Sequence, residues 1–386
     1  MEQKPNILFL ASWYPSRVNP FNGNFVQRHA KSAAEFCSVR VLHACSDPGL
    51  SKKFEIDVRN KDGIDEVIVY YRKIGHNIPG ISHLQKYLRS KAALKMGFEE
   101  VERIRKTDLV HLNVSFPAGL FALYLKRKYQ LPYIITEHWT IFLDSDPGAF
   151  PKFTKNAVKR ILNGASVICP VSHDLEKAIR RIAPERQYQV VNNVVNTELF
   201  GIREPGNKKK RIVHVSTLND DQKNISGILR AARELGQKRD DFELLIVGDG
   251  DIAPHLAYAD SIGLSKQLYE FRGKQPLEKI AEIMQKSDVF LLFSNYENLP
   301  CVIIEAHASG LPVISTDVGG ISEMINDGNG LLITRGDENM LVEKLDKLLN
   351  KLDGYDREKI RDEAVQKYSY SVIGKQFHDI YKKLIP

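Results

Sequence analysis

Short apolar runs alternate with longer amphipathic stretches along most of the 386-residue chain. In the first half, strands are predicted at Asn6–Ala11, Val39–Ala44, Glu66–Arg72, Leu109–Val114, Tyr133–Thr136, Ser166–Pro170 and Gln189–Asn192. In the second half, they are predicted at Arg211–Ser216, Glu243–Gly248, Tyr269–Arg272, Val289–Phe293, Pro312–Thr316 and Gly330–Ile333. Helical spacing predicts helices at Asn24–Ala34, His83–Arg105, Ile225–Gln237, Leu277–Gln285, Val302–Ala308 and Glu338–Asn350. Apolar strands that alternate with helices are typical of parallel α/β sheets, and the pattern occurs twice.

Residues 201–211 (GIREPGNKKKR) separate the two halves. The segment has two glycines, one proline, three consecutive lysines and no apolar periodicity, which is typical of an interdomain linker. We therefore expect two Rossmann-like domains, over residues 1–200 and 212–365, that face each other across a cleft. In such sheets ligands bind at the carboxyl ends of the strands.

Composition and the length of the apolar runs indicate where in the cell the protein acts. Hydrophobic residues make up 43% of the chain and charged residues 27%, as in ordinary globular proteins. The apolar runs are far shorter than the ~18 residues that span a bilayer, and Ile7–Ala11 has the pattern of a strand rather than of a signal-peptide core. The four cysteines form no CxxC or metal-binding pattern, so we expect reduced thiols and a cytoplasmic protein.

The net charge of +7 is unevenly distributed. Residues 1–200 carry 29 Lys and Arg against 19 Asp and Glu, whereas the remaining residues carry 26 against 29. The first half is thus expected to face an anionic partner, such as a phosphorylated substrate or an acidic membrane surface. Nucleic acid is disfavoured because aromatic residues do not interleave with the basic clusters in a stacking pattern and because no nucleic-acid-binding motif appears.

One predicted helix concentrates this positive charge. Lys152, Lys155 and Lys159 are spaced at i, i+3 and i+7, and apolar residues from Phe153 to Leu162 fall on an adjacent face. The pattern fits a helix that lies on an anionic membrane. It also fits an ordinary helix that packs on the core with its lysines in water.

The strongest candidate site lies in residues 295–305 (NYENLPCVIIE), where seven residues separate two glutamates. Leu299-Pro300 predicts a helix start, since proline tolerates the first helical position. Glu297 then lies in the preceding loop, and Glu305 lies in the second helical turn. On spacing alone, the pattern also fits a surface helix with two solvated glutamates.

The start of this helix is a predicted anion site. The N–H groups of Cys301 and Val302 and the helix dipole put partial positive charge between two carboxylates that suit sugar hydroxyls. A glycine-rich loop at Gly319-Gly320 is expected to leave further N–H groups free. Lys223, in a polar loop after a predicted strand, is expected to reach a phosphate as a mobile charge. Phosphate between two polyols is the chemistry of a nucleotide sugar.

Together these features resemble the retaining GT-B glycosyltransferases, most closely glycosyltransferase family 4. The family's E-x7-E signature matches Glu297 and Glu305, and the segments EAHASGLPVIST and VGG stand where the family has them. The resemblance covers almost the whole chain and is most specific over residues 211–333. It implies a GT-B fold, with a C-terminal helix within residues 366–386 that packs back on the first domain.

The resemblance also implies roles for residues of the second domain. Glu305 would hold the ribose hydroxyls, Glu297 would contact the donor sugar near the reacting carbon, and Lys223 would neutralise the diphosphate. The donor-binding set is completed by Thr217, Lys274, Asn298, Leu299, Cys301, Val302, Gly319 and Gly320.

In the first domain, the implied site residues are His138 and Gly23. Thr136-Glu137-His138 resembles the family's T-x-H site, in which the histidine faces the donor sugar. Gly23 resembles the glycine loop near the diphosphate and acceptor, although many members have two glycines there. A second departure is Ser216-Thr217, which stand where the family usually has Gly-Arg, so that a hydroxyl replaces a phosphate-binding charge.

The resemblance implies transfer of a sugar from a UDP- or GDP-linked donor to a hydroxyl of a glycan or lipid-linked acceptor, in polysaccharide or glycolipid biosynthesis. No second carboxylate stands out as a nucleophile, and the resemblance implies that Glu297 binds rather than attacks, so front-face attack is favoured. Stabilisation of the leaving diphosphate by Lys223 and helix N-termini then needs no metal and no cofactor besides the nucleotide-sugar substrate. Two DxD sequences, Asp144–Asp146 and Asp249–Asp251, are interpreted as incidental.

Other activities fit a chain with Rossmann-like halves. A GT-B sugar-nucleotide epimerase and a non-catalytic nucleotide-binding protein remain alternatives. An NAD-dependent oxidoreductase is disfavoured because SWYPS, rather than G-x-G-x-x-G, follows the first predicted strand.

Overall fold

The computed structural model describes residues 4–72, 81–146, 148–202 and 209–385, which form two compact units. The first unit comprises Met1–Ile141, Gly148–Val194 and Tyr370–Pro386. The second comprises Phe142–Pro147 and Val195–Ser369. The second unit therefore begins before the linker expected at 201–211, of which residues 203–208 lie outside the described part of the chain.

The described residues form strands and helices in alternation. The strands are β1 (Asn6–Ala11), β2 (Ser38–Asp47), β3 (Phe54–Lys61), β4 (Ile64–Arg72), β5 (Leu109–Asn113), β6 (Tyr133–Glu137), β7 (Ile168–Pro170), β8 (Lys210–Thr217), β9 (Phe242–Asp249), β10 (Tyr269–Arg272), β11 (Val289–Leu292), β12 (Val313–Thr316) and β13 (Gly330–Ile333). The helices are α1 (Asn24–Ala34), α2 (Ile81–Ile104), α3 (Gly119–Tyr129), α4 (Lys152–Gly164), α5 (His173–Arg180), α6 (Asp220–Lys223), α7 (Ile225–Gly236), α8 (Ala253–Ser261), α9 (Leu277–Gln285), α10 (Cys301–Ala308), α11 (Glu338–Leu349), α12 (Arg357–Tyr368) and α13 (Tyr370–Lys382). Short 3₁₀ turns span Thr140–Phe142, Gly319–Glu323 and Leu352–Gly354.

Each unit contains one sheet. The strand order is β3-β4-β2-β1-β5-β6-β7 in the first unit and β10-β9-β8-β11-β12-β13 in the second, and only the β3–β4 pair among the described strands is antiparallel. Without β3, both orders are the 3-2-1-4-5-6 order of a Rossmann fold. The topological switch points therefore lie between β1 and β5 and between β8 and β11.

The last helix completes the core of the first unit. Ile373, Phe377 and Tyr381 of α13 are buried in that core, and α13 packs on α1. The Tyr381 hydroxyl lies 2.6 Å from Nδ1 of His111 in β5, and the Thr136 hydroxyl lies 2.6 Å from Nε2 of the same ring. This buried chain of polar groups satisfies His111 and ties α13 to the sheet.

Two segments of the first unit differ from the predictions. The strand predicted at Gln189–Asn192 is wrong: the segment is irregular, although the N–H groups of Gln189 and Val191 donate to carbonyls of β7. Strand β3 was not predicted. It lies at the sheet edge, where Ile56 and Val58 are 36% and 48% exposed, so it has no continuous apolar run.

Helix α4 buries Ala157, Val158, Ile161 and Leu162, which is the packing expected of an ordinary core-facing helix. Phe153, at its start, is 76% exposed and does not belong to this buried face. No helix in the described ranges combines the length and the apolarity needed to cross a bilayer.

Candidate functional site

The switch point of the second unit brings together two loops that carry charged side chains. Strands β8 and β11 are parallel neighbours, with Val289 opposite Ile212. The chain leaves β8 into the short helix α6, which ends at Lys223, and it leaves β11 into the loop that contains Glu297. Because the carboxyl ends of parallel strands meet at one edge of the sheet, residues far apart in sequence become neighbours there.

Lys223 and Glu297 form an ion pair at this edge, through Nζ and Oε1. The Ser294 hydroxyl donates to the same carboxylate oxygen at 2.8 Å, and the Thr316 hydroxyl donates to the Ser294 carbonyl at 2.7 Å. The Lys223 side chain is 11% exposed. In this structure the ammonium group is held on a buried carboxylate, and its reach to a phosphate stays a prediction.

Two further hydrogen bonds fasten the loops to each other. The backbone N–H of Asn295 donates to the Gln222 carbonyl at 2.7 Å, and the Asn295 side-chain amide donates to the Asp221 carbonyl at 2.9 Å. The Lys223–Glu297 pair thus belongs to a fixed arrangement of backbone rather than to two independent surface loops.

Helix α10 begins at Cys301, one residue before the predicted range Val302–Ala308 and one residue after Pro300, which was expected at the first helical position. Pro300, with φ −69° and ψ 118°, is the residue before the first helical residue, Cys301. Glu305 lies in the second turn, as predicted. The Glu297 and Glu305 residues are only 6% and 3% exposed, which excludes the alternative of two solvated surface glutamates. Carboxylates this buried are rare in proteins unless they have a specific partner.

The loop that contains Gly319 and Gly320 packs directly against the loop that contains Glu297. Gly319 has φ +58°, and a Cβ atom built on it would lie 2.2 Å from the Glu297 carbonyl oxygen. The N–H of Gly320 donates to the Asn298 carbonyl at 2.9 Å. The expectation that both glycine amides are free is therefore wrong for Gly320, whose role is to fix the backbone beside Glu297.

Thr217 ends β8 and Lys274 follows β10, and these two strands lie on either side of β9 in the same sheet. Thr217 is exposed and is opposite Asp249 in the β8–β9 register, and the Lys274 ammonium lies 2.6 Å from the Asp249 carboxylate. The neighbouring His214 lies 2.6 Å from the Ser216 hydroxyl, and burial lowers its pKa to about 4. Besides the Lys223–Glu297 pair, this edge of the sheet therefore carries a second set of polar residues, around Thr217 and Lys274.

The predicted site residues of the second unit therefore fall into two groups. One comprises Lys223, Glu297, Asn298, Gly319 and Gly320, joined by the contacts above. It continues along the same loop and helix through Leu299, Cys301, Val302 and Glu305. The other comprises Thr217 and Lys274, joined through Asp249.

Gly23 and His138 belong to the first unit. Gly23 has φ +71° and precedes α1, and a Cβ atom on it would lie 2.4 Å from the carbonyl carbon and oxygen of Trp13. A glycine is therefore required where the loop after β1 turns into α1. His138 lies just after β6, and its ring centroid is 4.4 Å from that of Phe25 in α1.

His138 is 8% exposed, and burial holds its pKa well below the usual value, so the imidazole is neutral at pH 7. Sequence reasoning missed the group that holds its backbone. The Glu137 carboxylate, fully buried, accepts hydrogen bonds from the N–H groups of His138 at 2.9 Å, Trp139 at 3.1 Å and Ser115 at 2.9 Å. The available signal was a charged residue directly after the strand predicted at Tyr133–Thr136.

The aspartates of the second DxD sequence have structural partners. Asp249 is paired with Lys274, and Asp251 accepts a hydrogen bond at 3.0 Å from the N–H of Ala253 at the start of α8. In the described part of the chain, no three His, Cys, Asp or Glu side chains are grouped in a way that could hold a metal ion.

Comparison with known proteins identifies relatives of both units. Residues 209–351 match the model of the family described as Glycosyl transferases group 1, and residues 23–199 match that of Glycosyltransferase Family 4. The chain is 26% identical over 392 aligned residues to TuaC of Bacillus subtilis (strain 168), which is named as a putative glycosyltransferase of teichuronic acid biosynthesis. The alignment covers 96% of this chain and 94% of TuaC.

Solved structures share the fold. Sucrose-phosphate synthase from Thermosynechococcus elongatus gives a TM-score of 0.76 at 19% identity, over 99% of both chains. Anabaena HepE in complex with UDP-glucose gives a TM-score of 0.69 at 16% identity, over 98% of this chain and 99% of HepE. At these identities the likeness supports the fold of the two domains.

Proposed function

The chain belongs to glycosyltransferase family 4, among the group 1 glycosyltransferases of GT-B fold, and we propose that it moves a sugar from a nucleotide-diphosphate sugar to an acceptor hydroxyl with retention of anomeric configuration. The proposed setting is the biosynthesis of a polysaccharide or glycolipid. This setting is supported by the name of TuaC, a relative that aligns over nearly the whole chain.

The observation that carries this proposal is the buried acidic pair at the start of α10. Oε1 of Glu297 is engaged by Lys223 and Ser294, whereas Oε2 has no partner among the described residues. A carboxylate oxygen beside a helix N-terminus suits a sugar hydroxyl donor, while the helix start itself suits the diphosphate. Glu305, one turn further along, is proposed to accept from the ribose hydroxyls.

Stabilisation of the leaving diphosphate is the main catalytic contribution of this site. We propose that negative charge develops beside the Lys223 ammonium and the first N–H groups of α10, at Cys301 and Val302, as the sugar departs. Preorganised donors of this kind act in a site that excludes water, where they lower the barrier most. We propose that they do so without a metal ion.

The proposed reaction proceeds on one face of the sugar. The bond from the anomeric carbon to the diphosphate oxygen breaks, and a bond from the acceptor oxygen to the same carbon forms on the same face. The acceptor proton passes to the departing phosphate oxygen, so that no protein base is required. His138, neutral because it is buried, is proposed to hydrogen-bond a hydroxyl of the donor sugar.

The donor is proposed to carry UDP or GDP, and the complex of HepE with UDP-glucose favours UDP. The acceptor is proposed to be a glycan or a lipid-linked saccharide. We place the reaction in the cytoplasm, with the first domain at the inner face of the membrane. Support for this location comes from α4, where Phe153, Lys155, Lys159 and Arg160 are exposed together.

A thermal-shift panel of UDP, GDP and their sugars tests the proposal. We expect one nucleotide series to raise the melting temperature, and NMR of the transfer product to show the anomeric configuration of the donor. Absence of a shift with every nucleotide would refute donor binding. An isomerised nucleotide sugar formed without any acceptor would instead indicate an epimerase, and binding without any turnover would indicate a non-catalytic protein.

A further inference from the structure

The first unit contains a cavity that the proposed donor-binding residues do not use. Its volume is about 710 Å³, and it lies between α2, α3 and the start of α4. Small-molecule sites typically measure roughly 300–1,000 Å³. Tyr71, near the end of β4, and Phe116, shortly after β5, line the cavity at the carboxyl edge of the sheet. Ligands of parallel α/β domains bind at this edge.

The walls of the cavity are mainly apolar. Leu94, Leu120 and Phe116 line it, together with Tyr87 and Phe153, which remain 39% and 76% exposed. An exposed phenylalanine beside an apolar cavity leaves hydrocarbon surface in contact with water, and a hydrocarbon ligand would cover that surface.

Positive charge adjoins these apolar walls. Lys86 and Lys91 line the cavity, and no acidic residue does so within the described ranges. The ammonium groups of Lys91 and Lys95 lie 5.7 and 5.1 Å from the centre of the Tyr124 ring. None of these three lysines forms an ion pair with a described residue, so their charge is available to a ligand.

We propose that this cavity binds the hydrocarbon chain of a phosphate-bearing lipid, with the phosphate held by Lys86 and Lys91. Two ammonium groups match the charge of a lipid phosphate, and a phosphate monoester such as an alkyl phosphate carries roughly −1.5 to −2 charges at pH 7. The chain replaces water along the apolar walls and covers Phe153. We identify this lipid as the carrier end of the acceptor, and that identification rests on the proposed function. The binding of the lipid in the cavity does not depend on the proposed function.

Titration calorimetry of the full chain with alkyl phosphates, below the concentration at which they aggregate, tests the binding. Along the series from hexyl to octyl phosphate, each added methylene is expected to tighten binding by roughly three- to fourfold. Octyl glucoside, which has the same chain and no charge, is expected to bind at least about tenfold more weakly than octyl phosphate. A dissociation constant that does not depend on chain length would overturn the proposal.

Two variants locate the bound chain. Thr154 lines the cavity from the first turn of α4, and the larger side chain of Thr154→Trp is designed to fill the cavity. Asn156→Trp, on the exposed side of the same helix, is the matched control. We expect Thr154→Trp to weaken octyl phosphate binding at least tenfold, and the control to bind as the unmodified chain does. Equal binding by both variants would show that the lipid lies elsewhere.

A charge-reversal pair separates the phosphate contact from the chain contact. Lys86→Glu with Lys91→Glu is expected to weaken octyl phosphate binding and to leave octyl glucoside binding unchanged, whereas Lys159→Glu on α4 affects neither. Vesicles of anionic lipid provide a further comparison. If both tryptophan variants bind the vesicles equally and neither the variants nor the unmodified chain binds free octyl phosphate, the protein is attracted to the lipid surface only, and the cavity site is overturned.

Failure of this inference can be distinguished from failure of the proposed function. Nucleotide binding by Thr154→Trp is expected to equal that of the unmodified chain, because the cavity and α10 belong to different units. Absence of alkyl phosphate binding by the unmodified chain, with normal nucleotide binding, refutes only the lipid site. Normal alkyl phosphate binding without nucleotide binding refutes only the proposed function.

Discussion

The Lys223 ammonium and the Glu297 carboxylate are 74 residues apart in sequence, yet they form an ion pair that joins the two loops at the switch point of the second domain. Their side chains are 11% and 7% exposed. Loss of one partner from a buried pair leaves a charge without compensation, which typically costs about 3–5 kcal/mol. The pair therefore contributes both to the position of the loops and to the charge of the site.

A double-mutant cycle on this pair is the first test. Lys223→Met and Glu297→Gln are each expected to lower the free energy of unfolding of the second domain by about 3–5 kcal/mol, and the double variant is expected to lose less than the sum. The measurement is urea unfolding at 25 °C. The exposed Lys279–Glu282 pair, at 2.6 Å, is the control and is expected to show almost no coupling. Additive effects at the first pair would contradict the ion-pair assignment.

Glu305 is expected to decide nucleotide affinity. Glu305→Ala removes a buried acceptor proposed to bind the ribose, so the dissociation constant for UDP or GDP is expected to rise about 10- to 100-fold. Titration calorimetry measures this change. Glu343→Ala, on the exposed side of α11, is the control and is expected to bind nucleotide normally. An unchanged affinity in Glu305→Ala, with the fold intact by circular dichroism, would remove Glu305 from the site.

Gly319 is expected to be irreplaceable for a steric reason. In Gly319→Ala the new Cβ would meet the Glu297 carbonyl oxygen at 2.2 Å, so the backbone beside the carboxylate must move. Gly336→Ala is the matched control, because Gly336 has φ +74° and a Cβ there meets no atom within 4 Å. Both variants carry the left-handed strain of about 1–2 kcal/mol, but only Gly319→Ala is expected to lose most of its turnover. Equal turnover and melting temperature in the two would contradict this explanation.

The buried histidines are expected to make the protein acid-labile. Burial lowers the pKa of His29, His214 and His307 to about 4, whereas the unfolded chain takes up these protons near pH 6.5. Between pH 6.5 and 4 the unfolded state therefore binds more protons, and the free energy of unfolding falls as the pH falls. The stabilisation is fully present above about pH 6.5 and is lost by about pH 4.

Urea unfolding at pH 7, 6 and 5 measures this dependence. The unfolding midpoint is expected to decrease at each step, and His214→Gln is expected to reduce the slope by the protons that one histidine takes up. A midpoint that is the same at pH 7 and pH 5 would show that these imidazoles are not held neutral in the folded state.

Much of the fold was predictable because its strands are buried on both faces. Continuous apolar runs gave the observed bounds of β1 (Asn6–Ala11) and β13 (Gly330–Ile333), and helical periodicity gave those of α1 and α9. Strand β3 was not predicted because it lies at the edge of the sheet, where Ile56 and Val58 are exposed. Gln189–Asn192 has the composition of a strand, but it lies beside the three-residue β7 and forms only scattered backbone hydrogen bonds.

The site was predictable in its residue types and not in its contacts. The spacing of Glu297, Pro300 and Glu305 follows from local helix chemistry, so the sequence alone indicates which residues surround the helix start. The pairing of Lys223 with Glu297 depends on the adjacency of β8 and β11, which no local pattern encodes. The hydrogen bond from Gly320 to the Asn298 carbonyl likewise arises from packing between distant loops.

The most direct test of donor binding is a crystal structure of the chain with the nucleotide-diphosphate sugar that the thermal-shift panel selects. We expect the diphosphate to lie within hydrogen-bond distance of Lys223 Nζ and the N–H groups of Cys301 and Val302, with the ribose hydroxyls on Glu305. A nucleotide bound away from α10, with no contact to Glu305, would contradict the proposed site.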